Sequence, residues 1–279
     1  MSQAGRSILS VTCDTHIGTL LIFNLLLLGL GLIGGTLSGL LGIGGGLVIV
    51  PLLLYAPLWL GFDPIDIRTA TAVAVVQVTA ATLSGTLAHR RRGAVYMRLA
   101  IPMSVASAVG ALIGGVASAS VPADLLLLAT AILATVAALL MFLPARVESL
   151  DAGDRPPFSL VVVCVSGLAI GAVIGMNGSG AFLMMPALIY LVGLPTRVAL
   201  GTVLAVGFPT SFAASVGKVA TGQVPLTIAG MVVIGAIAGA QAGSWLSART
   251  PPRVLRWLYG ALVSAIALGL WWDIVNRSQ

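Results

Sequence analysis

Residues 42–46 read Gly-Ile-Gly-Gly-Gly inside an otherwise apolar stretch, and Pro51 follows them. Glycine in a helix interior costs roughly 1 kcal/mol relative to alanine in water. A run of glycines at this place therefore predicts backbone that is not helical. Within a lipid bilayer, such backbone is tolerated only where it is buried in protein or lines a polar cavity.

A second break of the same kind occurs in the other half of the chain. Residues 177–181 read Asn-Gly-Ser-Gly-Ala, with Pro186 at the place that matches Pro51. Interruptions at corresponding positions of two halves are typical of a transporter binding site. Glycines just before a new helix leave N–H groups free where the helix dipole favours an anion. We therefore predict substrate contacts from Gly44, Gly45, Gly46, Asn177, Gly178, Ser179 and Gly180.

The composition is that of a membrane protein. Apolar residues make up 58% of the 279-residue chain and charged residues only 8%, which is too few to build a normal water-facing surface. The net charge of +6 comes mostly from arginines in predicted loops. Arginines placed in this way set the orientation of a membrane protein in the bilayer and argue against nucleic-acid binding. Residues 1–17 lack the order of a signal peptide, so we expect the first apolar run to be retained. The two cysteines show no metal-ligand spacing.

The chain reads as an all-α polytopic protein with about ten apolar segments in two sets of five. The first set is 17–41, 45–60, 69–88, 97–118 and 123–143. The second set is 159–176, 180–193, 198–217, 226–246 and 254–273. Residues 144–158 are the most polar stretch and form a predicted cytoplasmic linker. They divide the chain into membrane repeats 1–143 and 159–279.

Orientation follows from the loop arginines. The most cationic loop, residues 89–92, should be cytoplasmic by the positive-inside rule. Five crossings in each half also place Arg249, Arg253 and Arg256 on that side. An odd number of crossings makes the two repeats inverted, as in many secondary transporters. The segments beside the breaks either span fully or form re-entrant hairpins, and both arrangements give the same parity.

Polar residues inside the segments complete the predicted site. All eight acidic residues lie in predicted loops or at segment ends, so a pathway without fixed negative charge favours an anion over a cation. Gln77 is a predicted pathway residue because a buried amide needs several partners, and Thr202 is a second candidate. Other mid-segment hydroxyls, such as Thr79 and Ser211, are expected to bond back to their own helices. Glycines away from the breaks are expected to pack helices together: Gly34, Gly35, Gly39, Gly110, Gly114 and Gly115.

Residues 38–46 with Pro51, and Ala-Leu-Gly-Thr at 199–202, resemble motifs of the sulfite exporter TauE/SafE family, also called the 4-toluene sulfonate uptake permease family. The second break departs from the family's Gly-x-Gly-Gly-Gly, and residues 70–73 depart from its Ala-x-Gly-Thr. The resemblance implies a multi-pass permease of the bacterial inner membrane. It also implies a sulfur oxyanion or organosulfonate as substrate: sulfite, sulfoacetate, a taurine-related sulfonate or toluenesulfonate.

The resulting hypothesis is a secondary transporter, not an enzyme, that needs no cofactor or metal. Its anion would bind between the two breaks near the midplane, and one half would rock against the other. An anion channel is the main alternative. An intramembrane serine hydrolase built on Ser179 is disfavoured, because His16 and His89 lie at segment ends in the other half. The predicted partners are the lipid bilayer and the anionic substrate. The sequence leaves open whether copies of the chain form a homo-oligomer.

Overall fold

The computed structural model describes residues 3–43, 45–63, 65, 67–117, 123–143, 159–177, 181–220 and 224–277. Within these ranges all regular structure is helical. The helices are α1 (Gln3–Leu41), α2 (Gly46–Trp59), α3 (Ile67–Arg91), α4 (Met97–Ala117), α5 (Ala123–Phe142), α6 (Leu160–Asn177), α7 (Met184–Pro186), α8 (Thr196–Ala220), α9 (Leu226–Arg249) and α10 (Pro252–Arg277). A 3-10 turn (Ala181–Leu183) precedes α7 and a π-helical turn (Ala187–Leu191) follows it. We call residues 181–191 the seventh segment.

The predicted segments coincide with these helices to within a few residues at most ends, with two differences. The first apolar segment, 17–41, agrees with the candidate span Leu20–Leu41, but the helix α1 that contains it begins at Gln3. Residues 3–16 contain no proline and a single glycine, so nothing local stops the helix where the apolar run begins. The seventh segment was expected to be one helix, but it changes from 3-10 to α to π geometry within 181–191.

The exterior of the bundle is apolar. Large hydrophobic side chains are exposed on most helices, and Trp59 is 80% exposed and Trp272 72% exposed. Five helices in the described ranges are long and apolar enough to cross a membrane: Leu20–Leu41, Thr69–Arg91, Met97–Gly114, Leu226–Arg249 and Pro252–Asn276. Such a surface would cause association in water and is the surface that lipid requires. The chain is an all-α polytopic membrane protein.

Glycines bring α1 and α9 into backbone contact along their length. A Cβ atom added to Gly35 or Gly39 would overlap the carbonyl oxygen of Ala236 or Ala240. The contact is mutual, because three glycines of α9 face carbonyl oxygens of α1 in the same way: Gly235, Gly239 and Gly243. Small residues at such spacing allow the close approach that drives helix association in lipid.

The same arrangement joins α4 to α6. A Cβ atom on Gly110 or Gly114 would overlap the carbonyl oxygen of Leu168 or Ala172. Conversely, a Cβ atom on Gly171 would overlap the carbonyl oxygen of Ser107. In both pairs, the first helix of one predicted half packs against the fourth helix of the other half. The packing role expected of Gly35, Gly39, Gly110 and Gly114 is confirmed.

The buried apolar residues divide the helices into two packed bodies. One apolar cluster joins α1, α2, α3 and α9, which we call body A; its buried members include Leu27, Leu30, Ile49, Leu53, Val73 and Val232. The other joins α4, α5, α6, the seventh segment, α8 and α10, which we call body B; its members include Met103, Met141, Met184, Leu200 and Tyr259. The end of α1 also packs on body B, through Leu40, Leu41 and Ile43. Each body contains helices from both predicted repeats. The repeat division at residues 143 and 159 stays a prediction, and the linker 144–158 lies outside the described residues.

The glycine contacts give a first testable prediction. Gly35→Leu should push α1 away from α9 and lower the free energy of unfolding by about 2 kcal/mol or more, since overpacking of this kind costs about 1–3 kcal/mol. The measurement is the thermal unfolding midpoint in detergent. Gly29→Leu is the matched control on the same helix, because a Cβ atom at Gly29 meets nothing within 4 Å. Equal stability of the two variants would show that the α1–α9 contact is not tightly packed.

Candidate functional site

The first break is non-helical, as the glycines predicted. After α1 ends at Leu41, Gly42 and Gly45 take φ values of 73° and 75°. L residues with a side chain rarely adopt this left-handed region, so both positions require glycine. The N–H of Gly42 donates to the carbonyl of Ser38 at 2.8 Å. Gly44 lies outside the described residues.

The helix that follows the break starts with an open N-terminus. Its N-cap residue is Gly45, which has no side chain with which to cap the helix. The carbonyl of Gly45 accepts the N–H groups of Val48 at 3.1 Å and Ile49 at 3.0 Å. Helix geometry leaves the preceding N–H groups, those of Gly46 and Leu47, with no acceptor inside the helix. This end of α2 therefore offers two backbone donors together with the positive end of the helix dipole.

Gln77 lies directly against this break. A Cβ atom built on Gly45 or on Gly34 would lie 3.2 Å from Gln77 Nε2. The Gln77 side chain is fully buried, and neither Nε2 nor Oε1 has a hydrogen-bond partner among the described residues. Leaving such a group unpaired costs about 1–3 kcal/mol. A buried, unpaired amide beside an uncapped helix end is what a polar ligand site requires.

Three helices of body A converge at this point. The Gly34 carbonyl of α1 would lie 2.5 Å from a Cβ atom on Gly45, and Val78 Cγ2 of α3 would lie 2.9 Å from one on Gly46. Gly34 was expected to serve helix packing, and it does so against different helices from Gly35: a Cβ atom on Gly34 would lie 3.4 Å from Ile49 Cδ1 of α2 as well as beside Gln77 of α3. Adjacent residues of a helix point about 100° apart, so only one of this pair can face α9.

Ser38 is a functional candidate that the sequence reasoning missed. It lies one turn beyond Gly34 on α1, is fully buried, and its Oγ has no partner among the described residues. Its place in the glycine-rich motif was the available signal. Together with Gln77 it gives the surroundings of the first break two unpaired polar side chains.

The structure describes only the residues on either side of the second break. Asn177 ends α6, and Gly178, Ser179 and Gly180 lie outside the described residues, as does the Asn177 side chain. Just after the break, Phe182 is buried, and its carbonyl accepts the hydroxyl of the fully buried Tyr259 at 2.9 Å. Tyr259 thus fixes the chain where it leaves the second break. The predicted contacts from residues 177–180 stay predictions.

Thr202 is hydrogen-bonded within the protein. Its hydroxyl donates to the Val198 carbonyl at 2.7 Å and accepts the Tyr96 N–H at 3.1 Å. These bonds tie the loop before α4 to α8. The prediction that Thr202 contacts substrate therefore gains no support from its geometry and stays a prediction.

A line of hydroxyl groups joins α3 of body A to α8 of body B. Thr79 Oγ1 lies 2.7 Å from Ser215 Oγ, and Thr82 Oγ1 lies 3.5 Å from Ser211 Oγ. Each hydroxyl also has an acceptor four residues back in its own helix, as the sequence predicted for Thr79, Thr82 and Ser211. Separating the two helices would consequently leave no donor unpaired. We call this contact the hydroxyl seam.

The polytopic architecture, the interrupted helices and the unpaired amide inside the bundle place the chain in the class of membrane transporters. A sequence model of the family "Sulfite exporter TauE/SafE" matches residues 27–270. The chain belongs to this family, as its motifs indicated.

Curated relatives agree with that class. A "Probable membrane transporter protein" of Xylella fastidiosa (strain Temecula1) is 32% identical over 254 residues, covering 87% of this chain and 92% of the relative. The "Probable membrane transporter protein YunE" of Bacillus subtilis (strain 168) is 26% identical over 245 residues, covering 81% of this chain and 89% of the relative. No solved structure matches the chain.

Proposed function

We propose that the protein is a secondary transporter of the bacterial inner membrane that carries sulfite or a small organosulfonate. The buried, unpaired amide of Gln77 beside the uncapped start of α2 carries this proposal. An oxyanion at this place would accept the N–H groups of Gly46 and Leu47 and a hydrogen bond from Gln77 Nε2. The family name, sulfite exporter, supports a sulfur oxyanion as the chemical class.

The Gln77 amide also suggests how such an anion is recognised. Its Nε2 can donate to an anionic oxygen, while its Oε1 needs a donor. Hydrogen sulfite carries its own proton and can satisfy both atoms; a sulfonate would need a bridging water at Oε1. The second break, with Asn177 and Ser179, would add side-chain donors from body B.

The packing suggests which parts move. The initial hypothesis had one sequence half rocking against the other, but the glycine contacts of α1 with α9 and of α4 with α6 interlock the halves. We propose instead that body A moves against body B. The hydroxyl seam is one contact between them, beside the packing of the α1 end on body B, and it can open without leaving an unpaired donor. Since the sequence has no nucleotide-binding motif, an ion or substrate gradient would drive the movement.

Flux measurements test this function. Purified protein in proteoliposomes should take up radiolabelled sulfite, or a sulfonate such as toluenesulfonate, with saturable kinetics. Asn177→Ala combined with Ser179→Ala should reduce the rate about tenfold or more, because hydrogen bonds to charged groups contribute about 1.5–3 kcal/mol each. Normal transport by this double variant would exclude the second break from the site. Flux that does not saturate would favour an anion channel.

A further inference from the structure

Arg256 is a buried cation that the proposed site does not use. It lies in α10, within the candidate span Pro252–Asn276, and only 6% of its surface is exposed. The sequence suggested an ordinary loop arginine that sets topology, like Arg249 and Arg253. Both of those side chains are exposed, so Arg256 is different.

The hydrogen-bond partners of Arg256 among the described residues are all neutral. Its Nη2 donates to the Tyr190 hydroxyl at 3.1 Å and to the Met141 carbonyl at 3.4 Å. The Tyr190 hydroxyl in turn donates to the Leu143 carbonyl at 2.8 Å. Within the described ranges, Arg256 Nε is buried without a hydrogen-bond partner and no carboxylate pairs with the guanidinium.

A buried guanidinium without a counter-ion is expensive. Removing an ion from water costs several kcal/mol in real proteins, and paired anions normally repay that cost. The carbonyl groups at the end of α5 offset part of it through the negative end of the helix dipole. An ionisable side chain inside a membrane protein is therefore a candidate functional residue, and Arg256 needs an anion to pair with.

The position of Arg256 indicates which anion could pair with it. Tyr259, one turn further along α10, donates to the Phe182 carbonyl where the chain leaves the second break. Tyr190, which contacts Arg256, lies in the π-helical turn that ends the seventh segment. Arg256 therefore lies one turn of α10 from the residue that contacts the end of the second break, in the direction of Arg253 and Arg249. An anion that leaves the break in that direction would meet it.

We propose that Arg256, whose guanidinium is positioned by the Tyr190 hydroxyl, forms a second oxyanion subsite on the arginine-rich side of the second break. This subsite rests on the proposed function and takes the same class of ligand, a sulfite or sulfonate group. Its fixed charge would bind the anion on one side of the membrane only. The competing interpretation is a purely structural role, in which Arg256 satisfies the carbonyl groups at the end of α5.

Transport measured from each side of the membrane separates the two interpretations. Right-side-out and inverted membrane vesicles would take up radiolabelled sulfite, comparing Arg256→Gln with the wild type. We expect KM on the arginine-rich side to rise about tenfold, the loss of one charge-assisted contact, with less than a twofold change on the opposite side. Arg256→Lys, which keeps the charge without the guanidinium geometry, should give an intermediate KM. Arg253→Gln, an exposed arginine of the same helix, is the matched control and should leave both values unchanged.

A structural role predicts something else. Arg256→Gln and Tyr190→Phe would then both lower the unfolding midpoint and leave KM unchanged on both sides, and this outcome would overturn the subsite. If Arg256→Gln does not accumulate in the membrane, Arg256→Lys is measured instead, again from each side. A KM equal to that of the wild type on the arginine-rich side would then also overturn the subsite. Failure of the wild-type protein to transport any sulfite or sulfonate would instead refute the proposed function.

Discussion

Gln77→Leu is expected to abolish anion transport and at the same time to stabilise the protein. The amide is fully buried and unpaired among the described residues, so the free energy of unfolding should rise by about 1–3 kcal/mol when an apolar side chain of similar size replaces it. Transport should fall about a hundredfold, because the anion loses the amide donor of Gln77 at the first break. Proteoliposome flux and the thermal unfolding midpoint measure the two effects.

Gln241→Leu is the matched control. Gln241 lies in α9 of body A and is exposed, and its Nε2 donates to Ser84 Oγ at 2.9 Å and to the Ser84 carbonyl at 3.1 Å. Losing these bonds should cost about 1 kcal/mol of stability and leave transport within twofold of the wild type. If Gln77→Leu destabilises the protein and still transports, the amide is a packing residue and the first break is not the binding site.

There is a physical reason why Gln77→Leu should raise the stability of the protein and lower its transport rate. A core selected for stability alone would not keep a primary amide unpaired at full burial, since an apolar residue fills the space at lower cost. Binding sites retain such groups because the ligand supplies the missing hydrogen bonds. Replacing Ser38, which is also buried and unpaired, by an apolar residue should likewise raise stability and lower transport, with smaller effects.

The helices could be predicted from the sequence because their signals are local. Long apolar runs, glycine clusters and prolines set most helix ends within a few residues, and the left-handed φ values of Gly42 and Gly45 follow from the same glycines. The surroundings of Gln77 could not be predicted in this way. They depend on which face of α1 meets α3, and sequence reasoning assigned Gly34 and Gly35 the same role.

The grouping of helices into bodies was also beyond the sequence. Hydropathy predicts a division of the chain into two sets of five segments, but it does not say which segments touch. The glycines of α1 and α9 carry the contact that links the halves, and only the packed structure shows that they face each other. Arg256 illustrates the same limit, because a buried arginine and a loop arginine look alike in a hydropathy profile.

A cross-link at the hydroxyl seam is expected to stop transport. In a background with Cys13 and Cys164 replaced by serine, Thr79→Cys with Ser215→Cys joins body A to body B where the native hydroxyls lie 2.7 Å apart. A short thiol-specific bifunctional reagent should lower sulfite flux at least about tenfold, and cleaving the linker should restore it, because alternating access requires the two bodies to separate.

Cross-linking Ser84→Cys to Gln241→Cys by the same reagent decides which units move. This pair also joins the first sequence half to the second, but both residues belong to body A. If the sequence halves rock against each other, both cross-links must block transport. If body A moves as a unit, only the link between residues 79 and 215 blocks it, while the link between 84 and 241 leaves flux near the uncross-linked level. Undiminished flux with residues 79 and 215 joined would show that the hydroxyl seam stays closed during transport, and that the moving interface lies elsewhere in the bundle.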